Sequence, residues 1–180
     1  VVCEGFEAGG HNGREETTTF TLIPMVKEQV KIPVIAAGGI GSGRGMLAAM
    51  VLGADGVQIG SRFAATEESS AHQNFKDMIV DAKDGDTHLT LKELAPVRLL
   101  KNKFYQELQE LYEHNPSKEQ LKELLGRARA KKGMFEGDLD NGELEIGQIA
   151  GLIHKIKPAK VVLEEIIEEY NSSKDLIFKY

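Results

Sequence analysis

The chain has little of what several functional classes require. A single cysteine, Cys3, stands among 180 residues, which excludes an intrachain disulfide framework and any zinc site built from several cysteines. Its place in an apolar run at the start of the chain reads as a small buried hydrophobe. Positive charge is also short: 22 Lys and Arg stand against 28 Asp and Glu, for a net charge of −6 and a pI near 5.4. Nucleic acid is therefore not expected as a partner, because a phosphate backbone calls for a basic face and the pair Lys131 and Lys132 is too short to supply one. No run approaches the roughly 20 apolar residues of a membrane helix, and no basic segment leads into an apolar one as a secretion signal would. No membrane partner is expected, and the chain reads as cytoplasmic. His72, His88, His114 and His154 share no spacing that suggests a metal, so no metal site is expected.

What is present is an ordinary globular balance, 41% apolar and 28% charged. Short, apolar, partly β-branched runs at 1–3, 34–37 and 56–59 have the character of strands buried on both faces. Between them, 19–30 carries Leu22, Met25, Val26 and Val30 at helical spacing, with Pro24 tolerable only in the first turn. The segment 42–53 offers Ser42 as a cap, apolar positions at Met46, Leu47, Met50 and Val51, and Gly53 as a stop. Strand, helix, strand, helix, strand implies an α/β fold with parallel strands and right-handed crossovers. From 64 to 133 the texture turns rich in Glu, Lys, Leu and Ala and is expected to be helical. Helices are predicted over 102–115 and 117–132, the second with Ser117 and Gln120 at capping-box spacing. The turn-rich "FEGDLDNGELEIGQIAGLI" leads into a helix near 146–153, and a last helix spans 159–170 after Pro158.

Three short stretches carry the chemistry. In "VIAAGGIGSGRG", 34–45, a strand ends at Ala37, Gly38 and Gly39 follow, and a helix opens. Glycines at such a turn let backbone N–H groups approach an anion, with the helix N-terminus adding a favourable dipole. In "LGADGVQIGSRF", 52–63, the device recurs one unit later, with Gly60 and Ser61 at the strand end and Arg62 beyond. Two successive strand ends of this kind point to a phosphate cradle rather than to two structural turns. In "EAGGHNGREE", 7–16, His11 stands among Gly9, Gly10 and Gly13 after the first strand, on the same rim. There it can exchange a proton near neutral pH or hydrogen-bond developing negative charge. His72 is a helix cap or a site residue, Glu67, Glu68 and Ser69 read as a solvated first turn, and the carboxylates of "EGDLDNGELE" read as a turn, since they lack the ligand spacing of an EF-hand.

Taken together, "EAGGHNG", "IPVIAAGGIGSGRGMLAAMVLGADGVQIGSRF" and "FEGDLDNGELEIGQIAGLI" resemble the nitronate monooxygenase family, formerly called 2-nitropropane dioxygenases. The flavin-dependent enoyl-ACP reductase II family is a close relative. The resemblance implies the C-terminal part of a TIM (β/α)8 barrel, strands six to eight, with an added helical region. Residues 1–65 would be the FMN-binding barrel units and 66–180 a helical insertion and C-terminal helices. It implies FMN as cofactor, held by Ala8, Gly9 and Gly10 against the flavin and by Ala37, Gly38, Gly39, Gly60 and Ser61 around the phosphate, with His11 as the catalytic residue. The substrate would be a small molecule: a nitronate, oxidised with oxygen to a carbonyl compound and nitrite, or an enoyl thioester reduced by the related family. A non-catalytic fragment or assembly subunit is the alternative from another class. Strands one to five have no counterpart in the chain, so a fragment of a longer protein, inactive alone, is expected. A homo-oligomer is left open.

Overall fold

A computed structural model describes residues 1–177. The first part runs β1 (Val2–Glu4), β2 (Gly10–His11), α1 (Thr19–Gln29), β3 (Ile35–Ala37), α2 (Gly43–Val51), β4 (Gly56–Gln58) and α3 (Ser61–Ala64). β1, β3 and β4 form a parallel sheet in that order, with Cys3 opposite Ala36 and Ala36 opposite Val57. The strands are short because a glycine or a charged residue ends each apolar run. Cys3, Val34, Ala36, Ile23, Ile40 and Ala49 close the core between sheet and helices, and Cys3 is buried, as a small hydrophobe would be. Ser42 caps α2 by accepting the Gly45 N–H at 3.1 Å. Gly53 leaves it with φ +108°, a conformation that favours glycine.

α1 starts at Thr19, so Pro24 lies inside the helix rather than in its first turn. The carbonyl it deprives of a partner belongs to Phe20, which is 69% exposed, and Met25 beside it is 59% exposed. Water can satisfy that face, which is why the proline is tolerated.

The rest of the chain comprises α4 (Gln73–Asp81), β5 (Thr87–Thr90), β6 (Val97–Leu100), α5 (Lys103–Tyr112), α6 (Lys118–Leu125), α7 (Arg129–Met134), a 3-10 turn (Gln148–Leu152) and α8 (Ala159–Ile177). The helical region expected over 66–180 is interrupted by β5 and β6. They pair antiparallel, Thr87 opposite Leu100 and Thr90 opposite Val97, and β2 adds to the free edge of β6. All four residues of β6, Val97, Arg98, Leu99 and Leu100, are buried, and a four-residue run buried on both sides carries no periodicity to separate strand from helix. Gly85, with φ +80° just before β5, and Pro96, in the connection just before β6, were the available signal. The capping box at Ser117 and Gln120 forms. α8 outruns the predicted 159–170 because neither glycine nor proline follows Tyr170. The helix near 146–153 is only the 3-10 turn.

Candidate functional site

The loop after β1 is fixed from several sides. The Asn12 side chain donates to the carbonyls of Ala8 and Gly10 at 3.0 and 3.1 Å, and its N–H donates to the Pro96 carbonyl at 2.8 Å. The Glu7 carboxylate accepts the Thr19 N–H at 2.9 Å, a negative charge at the N-terminus of α1. The Thr19 hydroxyl lies 2.9 Å from both that carboxylate and the Gly38 carbonyl. Glu7 and Thr19 thereby hold the turn after β3 against the loop after β1. Gly38 and Gly39 adopt φ +85° and +66°, and a Cβ on Gly38 would lie 2.6 Å from the Gly5 carbonyl oxygen. No side-chain-bearing residue fits that turn without strain.

These strand ends enclose a cavity of about 280 Å³. Ala8, Gly9, Gly10, Ala37, Gly38, Gly39, Gly60 and Ser61 all line it, with Ile40, Ala64 and Ile149 adding apolar wall. Among the described residues the amides of Gly39, Ile40 and Ser61 find no acceptor. Ser61 Oγ accepts the Gly147 N–H at 2.9 Å, which leaves its own proton free to donate. A Cβ on Gly60 would meet nothing within 4 Å, so bare backbone faces the open space there. Burial pushes the Glu4 carboxyl, also in the wall, above its ordinary value.

One expected contribution to anion binding goes elsewhere. The N-terminus of α2 is closed by Glu169 of α8, whose carboxylate accepts the Gly43 N–H at 2.7 Å and lies 3.3 Å from Arg44 Nε. A carboxylate from the chain itself occupies the helix end, so any anion in the cavity relies on the two glycine turns and Ser61 rather than on that dipole.

His11 does not line this cavity. It sits on β2, opposite Val97, and lines a second cavity of about 200 Å³ with Glu143, Glu145 and Arg129. Glu145 lines both cavities and stands between them. The edge of β6 explains the convergence. Val97 and Arg98 pair with His11 and Gly10, the next residue Leu99 bridges to Glu145, and the Leu100 N–H donates to the Leu144 carbonyl at 2.9 Å. One strand thus brings together segments from opposite ends of the chain. Burial and the neighbouring Glu145 push the Glu143 carboxyl up to about 7, against the pull of Arg129. Burial also raises Glu145, with His11 opposing it.

Glu143 and Glu145 are the residues that sequence reasoning missed. The alternation of Glu143, Leu144, Glu145 and Ile146 marks Leu144 and Ile146 as buried, but carries no signal that a carboxylate is buried beside them. His72 caps α4 by accepting the Asn74 N–H, and Glu68 caps α8 by accepting the Ala159 N–H at 2.7 Å. Asp138 accepts the Asn141 N–H at 2.8 Å, a tight turn. Among the described residues no helix is long and apolar enough to cross a membrane.

Parallel strands whose glycine-bearing C-terminal ends wall a shared cavity define an α/β fold, and the C-terminal strand ends are where barrel enzymes of that class place their sites. The chain belongs to the nitronate monooxygenase family, whose model matches residues 1–169, an oxidoreductase family related to enoyl-ACP reductase II. A probable nitronate monooxygenase of Staphylococcus saprophyticus is 34% identical over 181 residues, covering 95% of this chain and 50% of that protein. The protein of the same description in Staphylococcus haemolyticus is 40% identical over 150 residues, 76% of this chain and 42% of that protein. FabK from Thermotoga maritima superimposes with a TM-score of 0.92 at 44% identity, covering 100% of this chain and 57% of that one. A nitroalkane oxidase from Streptomyces ansochromogenes gives 0.79 at 31% identity, covering 98% and 53%. The chain spans about half the length of the curated relatives it matches.

Proposed function

We propose that this chain forms the cofactor- and substrate-facing part of an FMN-dependent oxidoreductase that oxidises nitronates or nitroalkanes, with oxygen, to a carbonyl compound and nitrite. The observation that carries the reading is the convergence of Ala8, Gly9, Gly10, Ala37, Gly38, Gly39, Gly60 and Ser61 on one cavity. Its wall fits a flat, phosphate-bearing cofactor: glycine backbone permits close approach, free amides and the Ser61 hydroxyl donate to phosphate, and Ile40 and Ala64 offer an apolar surface. When bound, FMN supplies the electron transfer that the side chains cannot. Gly38, Gly39 and Ser61 hold the phosphate, and Ala8, Gly9 and Gly10 clear space for the ring. His11, in the adjacent cavity, holds an anionic head group by a charge-assisted hydrogen bond or takes the α-proton of a neutral nitroalkane.

Activity belongs in this reading to the longer protein, and the 180-residue chain alone does not turn over. The test uses the full-length protein. Bound FMN gives it a yellow colour, propionate 3-nitronate drives oxygen uptake, and His11→Ala lowers turnover by about 100-fold while FMN is retained. A colourless protein that cannot be reconstituted removes the cofactor assignment, and undiminished turnover in His11→Ala removes His11 from the chemistry. A second reading, reduction of an enoyl thioester, is favoured by the 44% identity to FabK across the whole chain. NAD(P)H-dependent reduction of a crotonyl thioester separates the two.

A further inference from the structure

The two cavities share one residue. Among the described residues only Glu145 lines both, while His11, Glu143 and Arg129 face the second alone and the glycine turns and Ser61 the first alone. Its backbone is pinned on either side. Glu145 bridges to Leu99, the Leu144 carbonyl accepts the Leu100 N–H at 2.9 Å, and the Gly147 N–H donates to Ser61 Oγ at 2.9 Å. The side chain lies against the loop that carries His11. A Cβ on Gly10 would sit 2.7 Å from Glu145 Oε2, so the carboxylate fills the space a side chain there would take, one residue from His11. Among the described residues no protein group donates a hydrogen bond to that carboxylate, and no side-chain oxygen sealed from solvent lacks a partner. Its oxygens are therefore reachable from the cavities.

A neutral nitroalkane needs two different groups to become a nitronate. A base takes the α-proton, and a hydrogen-bond donor meets the negative charge that the nitro oxygens gain. A carboxylate repels those oxygens and suits only the carbon side. Arg129 is committed elsewhere: it donates to the carbonyls of Leu125, Asn141 and Leu124 at 2.8, 2.7 and 2.6 Å and stacks on Phe104 at 4.3 Å. His11 is left as the donor facing the second cavity. We propose that Glu145 is the catalytic base that takes the α-proton of a neutral nitroalkane, with His11 holding the nitro group. The inference rests on the oxidation proposed above, and it divides between two residues the roles given there to His11 alone. In this step the α-C–H bond breaks and the proton goes to a Glu145 oxygen. The electron pair moves into the C=N bond and onto the nitro oxygens, leaving a nitronate hydrogen-bonded by His11 and the neutral carboxylic acid of Glu145. The charged groups facing Glu145 are His11 from β2, Arg129 from α7, Glu143 on its own segment, and Glu4 and Glu7 across the first cavity. Burial strengthens Glu145 as a base by raising its carboxyl, with His11 opposing.

Nitroethane and its preformed nitronate interconvert slowly enough to be supplied separately, and the full-length protein is given each in turn. Glu145→Gln, an isosteric change, lowers kcat/KM for oxygen uptake about 100-fold more with nitroethane than with ethyl nitronate, whereas His11→Ala lowers both. Glu145→Asp, which keeps the charge but retracts it by one methylene, shows the same split to a smaller degree. A second readout needs no turnover: exchange of the nitroethane α-hydrogens in D2O without oxygen, followed by proton NMR. The wild type speeds this exchange, and Glu145→Gln loses the acceleration by about 100-fold. Equal losses with both substrates, undiminished exchange in Glu145→Gln, or a wild type that oxidises ethyl nitronate but neither exchanges nor consumes nitroethane overturns the inference. The last of these leaves the proposed oxidation standing, and a wild type inert to both forms overturns both. Exchange that depends on Glu145 in a colourless protein that cannot be reconstituted supports the base and removes the cofactor assignment.

Discussion

Two glycines of the first cavity make opposite predictions for one substitution. A Cβ on Gly9 would lie 2.4 Å from the Gly147 nitrogen and the Ile146 carbonyl carbon. Gly9→Ala must push apart the two segments that join the loop after β1 to the C-terminal part, and is expected to cost about 3 kcal/mol in urea denaturation. Gly60 has an ordinary φ of −95° and open space at its Cβ position. Gly60→Ala is expected to change stability by less than about 0.5 kcal/mol, while weakening FMN uptake severalfold because the methyl enters the cavity. Glu143 adds a pH dependence. Its folded value of about 7 exceeds the ordinary 4.5, so the proton favours the folded state. The stabilisation is complete below about pH 4.5 and lost as pH rises through about 7, roughly 3 kcal/mol in all. Melting temperature should fall across that window, and Glu143→Gln should flatten the fall.

At the scale of elements, α8 is anchored through its contact with the start of α2. Gly43 permits it, since a Cβ there would lie 2.2 Å from the Tyr170 nitrogen, and Glu169 both caps the Gly43 N–H and meets Arg44. Glu169→Ala removes a charged acceptor from a helix N-terminus. It should cost about 1–2 kcal/mol and speed hydrogen exchange through Ala159–Ile177, with little change in exchange at β5 and β6. Equal protection in the variant would show that apolar packing by Val162 and Ile166 suffices. The helical signals at this scale were legible because they are local. Ser42, Ser117 and Gly53 act within one turn of their own chain. The β5–β6 hairpin was not, because Val97–Leu100 reads alike for a buried strand and a buried helix until its partners are known.

For the whole molecule, Arg98 joins the two sheets. It is 2% exposed on β6, donates to the Phe6 carbonyl through Nη2 at 3.0 Å, and stacks on the Phe6 ring at 4.5 Å. The segment it holds carries Glu7, Ala8, Gly9 and Gly10. Arg98→Ala should therefore destabilise by about 3 kcal/mol and lower the flavin stoichiometry of the full-length protein in parallel. A variant that lost stability but bound FMN normally would show that the sheets are energetically coupled without the loop depending on the tie.

The sequence by itself determined the parallel βα units, their caps, and the glycine turns that line the cavity. Each depends on the conformational needs of a few neighbouring residues, as the positive φ at Gly38 and Gly39 illustrates. Which residues face which space was decided only by tertiary pairing. The edge of β6 draws His11 out of the cavity lined by the glycine turns and sets it beside Glu143 and Glu145, more than 130 positions away. Nothing local in "NGELEIG" distinguishes a solvated turn from a buried pair of carboxylates. Burial and the mutual repulsion of the two charges exist only once the strand has joined both ends of the chain.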